Sequence, residues 1–437
     1  MKKLLYNCCI FFVFLAITLS SKAQRNVVWV HGLGGTSASW EHYKAVFDQE
    51  RNINSLKTSY NTSNGIDLAA NEVVVSMNNF LGNDNKNAQN LGIGHSMGGV
   101  MIRDVDKMYS NNGKYFGGII TVATPNNGAP IANSLINGDV QSAAQDAANK
   151  LTDGPVSQIL PLPWGILSNL TTDVLSNKFI TNDLVQSLWG SPTTNAELMV
   201  GSDKMNSINS YYSTIPKIAV LAEETSPVHW RLFSTQMYGE DQTFVQTVNS
   251  ARNVYNGFYV YNTSLAIVSC IFGFFSPAVW AVTAASTYRA TQWVKGRNWI
   301  DDSENVWSSL IKTSRIEQQP YVIEDWVPCD PQYPLQSTSL LKNAPEDCYE
   351  WVWRTVYRDV SVNYPSDGFL PIYSQELQGV TASSGNRYYI VGANHVEVRD
   401  MSNSTLNGAQ NDGTKLKFNQ IFDRYPGDFF RTERRTQ

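Results

Sequence analysis

The sequence predicts an α/β fold with a mostly parallel sheet. Three observations carry that expectation: short apolar runs of buried-strand type, helix-period segments between them, and glycine-rich turns where strand gives way to helix. The first run, Asn26-Val27-Val28-Trp29-Val30, ends in His31-Gly32. Ser39 to Gln49 then reads as a helix and Ile53 to Tyr60 as a strand. Asp67 to Leu81 carries Ala69, Val73, Met77 and Phe80 at helical spacing. After a polar turn, Leu91 to Gly94 reads as a strand, Met97 to Ser110 as a helix and Gly118 to Ala123 as a strand. Such alternation implies right-handed crossovers between parallel neighbours. Beyond Pro125 the pattern loosens until Ile215 to Ala222 restores a strand-like run. A second excursion reaches about Val360, and Arg387 to Val391 supplies a last strand.

These breaks divide the chain into a leader at 1–23, a first core part at 24–130, an insertion at 131–213, a core strand at 214–225, a second insertion at 226–360 and a last core part at 361–437. The insertions are expected to form a large, mainly helical cap over the carboxyl edge of the sheet, where open α/β sheets hold their ligands. Met1-Lys2-Lys3, the apolar stretch Leu4 to Leu19 and the small residues Ser21 and Ala23 predict a signal peptide cut after Ala23, and hence export to the periplasm, the cell surface or the medium. A formal charge of −5 and a pI near 5.6 offer no basic surface for nucleic acid.

In an oxidising compartment Cys329 and Cys348, flanking a polar, Pro-rich segment, are expected to pair, and the closed ring would add about 3 kcal/mol. Cys270 lies in an apolar stretch with no charged neighbour to activate it. Between Arg252 and Arg289 there is no charge at all, and 265–285 is rich in Ile, Val, Phe, Ala and Trp. Three readings fit it: a buried helical hairpin, a lid resting on lipid or a fatty substrate, or a membrane span. Gly273 and Ser276-Pro277 at its centre favour a bent pair of helices.

Chemistry concentrates in Gly94-His95-Ser96-Met97-Gly98-Gly99, between a predicted strand and a predicted helix. The G-x-S-x-G spacing suits a serine on a tight, strained turn with its hydroxyl lifted above the sheet edge, so Ser96 is the candidate nucleophile. An oxyanion needs two donors; the backbone N–H groups of Met97 and of Leu33, in His31-Gly32-Leu33-Gly34-Gly35, are the candidates. His31 reads as structural within its loop. Of five histidines, only His395 follows every plausible acid, and it sits just after a strand-like run, so it is the candidate base, with His229 in reserve. Asp367, in Pro365-Ser366-Asp367-Gly368, is the candidate acid; Asp359, Asp325 and Asp330 compete.

On these residues, together with Thr124-Pro125-Asn126-Asn127-Gly128 and Asn394-His395, the chain resembles the lipase and esterase branch of the α/β-hydrolase superfamily. It is similar to bacterial triacylglycerol lipases and to the hydrolase domain of GPI inositol-deacylases. The resemblance covers about residues 26–130 and 360–400. It implies an α/β-hydrolase fold that starts at the usual third strand, leaving about six strands, and the roles of nucleophile, acid and base for Ser96, Asp367 and His395. The expected reaction is hydrolysis of a small-molecule or lipid ester without a metal or organic cofactor; the apolar stretch and twelve Trp lean towards a lipid-like acyl chain and a cap that touches a lipid interface. An acyltransferase or thioesterase with the same residues, or a binding protein on a retired scaffold, are the alternatives. The oligomeric state stays open.

Overall fold

Val27, Val28, Trp29 and Val30 have no solvent exposure, which explains the uninterrupted apolar run of β1 (Arg25–Val30). A parallel strand covered on both faces has no polar side to present. The computed structural model describes residues 25–81, 90–110, 115–140, 142, 192–224, 304–328, 349–399 and 408–435. The leader, His229, Asp330, the apolar stretch 265–285 and all five cysteines, including the expected Cys329–Cys348 pair, lie outside the described residues.

After β1, a short 3-10 turn (Ser37–Trp40) leads into α1 (Glu41–Glu50). Then come β2 (Ile53–Lys57), α2 (Ile66–Leu81), β3 (Leu91–His95), α3 (Met97–Met108) and β4 (Gly118–Val122). Among the described residues three short helices follow, α4 (Pro130–Ile136), α5 (Pro192–Leu198) and α6 (Asp203–Ser210), and the chain re-enters the sheet as β5 (Lys217–Glu223). Strands β6 (Ser314–Pro328) and β7 (Tyr349–Asn363) precede α7 (Ile372–Gln375), β8 (Arg387–Val391) and the last helix α8 (Gly408–Phe422).

Six strands form one sheet in the order β2-β1-β3-β4-β5-β8, and every neighbouring pair is parallel. Residue alternation sends Val28, Val30 and Ile119 to one face, against Val73, Met77 and Ile102 of the α2–α3 layer. Val27, Trp29, Ile120 and Val220 go to the other, against Trp40, Tyr43, Phe47, Phe418 and Phe422. On that second face Trp29 lies 5.1 Å from Trp40 and 5.9 Å from Phe418, ring centre to ring centre. Helices α1 and α8, far apart in sequence, thus share one aromatic layer; each large apolar side chain so buried is worth about 1.5–3 kcal/mol.

The second insertion contains β6 and most of β7. These pair antiparallel over their full length, from Ser314↔Asn363 to Pro328↔Tyr349, as a two-stranded ribbon separate from the main sheet. Both strands mix charged, aromatic and β-branched residues, and Trp351, Trp353 and Tyr357 stay more than 60% exposed. With no buried face there is no apolar stripe to betray the strands; the ladder depends on a partner that sequence periodicity does not reveal. Among the described residues no helix is long and apolar enough to cross a membrane.

Candidate active site

Three loops at the carboxyl ends of β1, β3 and β8 converge with the segment that follows β7. β3 delivers Ser96, whose backbone sits at φ 53°, ψ −128°, a conformation rarely adopted by a side-chain-bearing residue. Its N–H donates to the carbonyl of Val122 at 2.9 Å, and its carbonyl accepts the N–H of Gly99 at 3.0 Å. The glycines of the motif have a direct steric cause. A Cβ on Gly94 would lie 2.4 Å from the backbone carbonyl of Gly98, and one on Gly98 would lie 2.3 Å from the carbonyl oxygen of His31. Strand β3, helix α3 and the loop after β1 can approach this closely only without side chains at those two positions.

His395 follows β8 by a few residues. Its Nε2 lies 2.9 Å from Ser96 Oγ and its Nδ1 lies 2.7 Å from Asp367 Oδ2. The line from hydroxyl to imidazole to carboxylate is therefore continuous, and it is buried: Ser96 and His395 are each 7% exposed and Asp367 is 0%. Since an ionised carboxylate only accepts, Nδ1 carries the proton and Nε2 presents its lone pair to the serine hydroxyl. The other carboxylate oxygen, Oδ1, accepts the N–H groups of Phe369 at 2.9 Å and Leu370 at 2.7 Å. The Asp367 carbonyl accepts the His395 N–H at 2.8 Å. Asp367 and His395 are thus tied through both main chain and side chain.

His95, a residue of the Ser96 motif, sets its buried ring against that of His395. Its Nε2 is 2.8 Å from the carbonyl oxygen of His395, and the two rings are 4.8 Å apart. On the other side, Phe369 stacks on the His395 ring at 4.9 Å. His31 plays the structural part expected of it: its Nδ1 approaches the Gly32 carbonyl at 2.9 Å, and its ring stacks on Tyr60, whose hydroxyl donates to the His31 carbonyl. Two competing acids are elsewhere. Asp325 pairs with Arg354 on the ribbon at 3.3 Å, and Asp359 lies on the exposed β7.

Met97 opens α3, so its N–H belongs to the first turn and has no helical acceptor. Among the described residues neither this N–H nor that of Leu33 is engaged in a hydrogen bond. Leu33 and Ser96 line a common pocket. Leu33, Ile131, Leu135, Leu198 and Leu370 make its walls apolar, and Asn195 is a polar exception. Most of these side chains come from α4 and α5, in the first insertion. Among the described residues no group of three or more His, Cys, Asp or Glu is placed to hold a metal ion.

Residues 20–145 match a family described as "Putative serine esterase (DUF676)", and the matched segment contains both the Leu33 loop and the Ser96 turn. The six-stranded parallel sheet is the arrangement typical of the α/β-hydrolase fold. Solved structures similar to this chain include phospholipase PlaB from Legionella pneumophila, 16% identical over 50% of this chain and 40% of that one, with a TM-score of 0.29. An extracellular alpha/beta-hydrolase from a Paenibacillus species is 16% identical over 45% and 76%, with a TM-score of 0.26. Bacillus licheniformis lipase BlEst2 is 15% identical over 50% and 76%, with a TM-score of 0.28. The chain thus spans less than half the length of the phospholipase it matches. Comparison with curated protein sequences finds no match.

Proposed function

We propose that this hydrolase is an exported serine esterase that cleaves carboxylic esters with a lipid-like acyl chain, using Ser96, His395 and Asp367. The observation that carries the reading is the unbroken hydrogen-bonded line Ser96–His395–Asp367 at the floor of an apolar pocket. Nε2 of His395 takes the proton of Ser96 as Oγ attacks the ester carbonyl carbon. The oxygen that becomes negative is met by the N–H groups of Leu33 and Met97, and each such donor is worth about 2.7–4 kcal/mol of barrier. The imidazolium, steadied by Asp367, returns its proton to the leaving alkoxide, and the alcohol departs from an acyl-Ser96 ester. Water then attacks that ester while His395 takes its proton; the carboxylic acid leaves and Ser96 regains its hydrogen.

The pocket walls support an apolar acyl group, since the hydroxyl of Ser96 opens onto Leu, Ile and Ala side chains that gain by leaving water. Export rests on Met1-Lys2-Lys3, the apolar stretch behind it and the small residues before Gln24. Contact of the cap with a lipid interface rests on 265–285, outside the described residues. The test is hydrolysis of nitrophenyl esters from acetyl to palmitoyl by the mature protein and by Ser96→Ala. Activity is expected to favour the longer chains and to fall on the order of 10⁶-fold in the variant. Folded protein that cleaves no member of the panel, or a Ser96→Ala variant that cleaves as well as the parent, would overturn the reading.

A further inference from the structure

Gln375 ends α7 and is buried, 1% exposed, at a place with no matching motif. Its whole side-chain amide is spent on backbone. Oε1 accepts the N–H of Ala222 at 2.8 Å, and Nε2 donates to the carbonyls of Ala222 at 3.0 Å and Leu370 at 2.9 Å. The need for such a partner follows from sheet topology. The β4–β5 ladder ends at Val122↔Val220, with Ala123 N–H on the Val220 carbonyl at 2.9 Å. Ala222 lies two residues further along β5, past the end of β4. There the amide of Gln375 stands in for the missing strand, bonding both backbone groups of Ala222.

Leu370, the third partner, holds the acid. Its N–H donates to Asp367 Oδ1 at 2.7 Å, and its carbonyl accepts the Asp367 N–H at 3.2 Å. A chain of bonds therefore runs from β5 through Gln375 to Leu370, to Asp367 and on to His395 Nδ1. The helix carrying Gln375 is itself clamped from the far side. Asn126 Nδ2 donates to the Gln375 carbonyl at 2.7 Å, Asn127 N–H to the Ser374 carbonyl at 3.0 Å, and Ser374 Oγ to the Gly128 carbonyl at 2.6 Å. Asn126 is in turn gripped by the buried guanidinium of Arg103, at 3.0 Å from its carbonyl.

We propose that Gln375 is a positioning residue for this esterase: it pins the Asp367 turn to the end of β5 and so fixes the carboxylate against His395. The proposal rests on the triad reading above. Without the amide the Asp367 turn loses its tie to the sheet, and misplacement by about 1 Å costs on the order of 10²-fold in turnover.

The experiment compares Gln375→Met, which removes all three bonds at similar volume, with Gln375→Glu, which keeps the shape and an acceptor for the Ala222 N–H but loses the paired donors. Both are expected to lower kcat about 10- to 100-fold with KM within about twofold. The downfield proton resonance of the His395 Nδ1–H should shift or broaden in both. In an Asp367→Asn background, Gln375→Met should cost little more, because the residue acts through that acid. If Gln375→Met does not fold, Gln375→Glu carries the same readouts. Unchanged kcat in a folded variant, an unmoved imidazole resonance, or an equal loss added on top of Asp367→Asn would overturn the proposal and leave Gln375 a packing residue. Failure of the triad reading would look different: Ser96 would resist a fluorophosphonate label in the parent protein, whatever stands at position 375.

Discussion

At the residue scale the site is governed by who donates to whom. Asp367 is fully buried, and both carboxylate oxygens are engaged, Oδ1 by two backbone N–H groups and Oδ2 by the imidazole. Buried anions survive when hydrogen-bonded in this way. An amide in the same place preserves the shape and changes the bond: Asp367→Asn can donate towards Nδ1, which turns the ring to the tautomer whose Nε2 no longer accepts from Ser96. Asp367→Asn is expected to lower kcat on the order of 10⁴-fold while the variant unfolds near the parent's temperature. Ester turnover measured beside a thermal melt checks both halves. Ser96, His395 and Asp367 could be picked from motif and chain order. His95 and Gln375 could not, because each acts through a backbone carbonyl, and a carbonyl leaves no mark in the sequence.

At the element scale, the helices of the first insertion are fastened to the core by charge as well as by packing. Lys204 on α6 reaches both carboxylate oxygens of Asp104 on α3, each at 2.8 Å, and also pairs with Asp67 at the start of α2. On neighbouring turns, Arg103 donates to Asn209 at 2.5 Å and Lys107 to Ser207. Burial works against the charges that make these contacts. Burial pushes the Asp104 carboxyl above its ordinary range, against the pull of Lys204, and burial draws the Arg103 guanidinium down to about 10. Asp104 has no solvent exposure. Lys204→Met would leave it an unpaired buried acid, a loss of about 3–5 kcal/mol in urea unfolding. Since α5 lines the pocket beside α4, the loosened insertion should also raise KM for long-chain esters.

At the scale of the whole molecule, the chain closes on itself. Arg51, 1% exposed, donates to Asp423 at 2.9 Å and to Asn419 at 2.6 Å, and Arg434 reaches the same Asp423 at 2.5 Å. Asn52 N–H to the Glu433 carbonyl and Arg435 N–H to the Glu50 carbonyl, at 2.8 and 2.9 Å, stitch the C-terminal segment to the turn between α1 and β2. Arg434, with Arg51 behind it, holds the Asp423 carboxyl down at about 2. A carboxyl lowered on folding adds stability that is complete above the unfolded value, about 3.9, and that disappears as pH falls through the folded value. Asp423 therefore contributes in full above about pH 4 and not at all below about pH 2. Asp423→Asn should flatten the part of the acid unfolding curve between those limits. Melting temperatures of parent and variant from pH 6 to pH 2 should converge at the acid end, and a constant gap across that range would remove Asp423 from the account.

The sequence by itself determined the parts of this protein that are buried on both sides or set by steric necessity. β1, β3, β4 and β5 were readable because strands covered on two faces can contain almost nothing polar. The Ser96 turn was readable because backbone crowding at Gly94 and Gly98 leaves only glycine. Tertiary structure alone decided the rest, for the opposite reason. The ribbon β6–β7 has no buried face, so only its partner strand makes it a strand. The joining of α1 to α8 through Trp29 and Phe418 and the use of Leu135 and Leu198 as pocket wall both depend on distances between residues remote in the chain. A local pattern records which residues must avoid water or avoid bulk; it does not record which distant backbone group a side chain will find when the sheet closes.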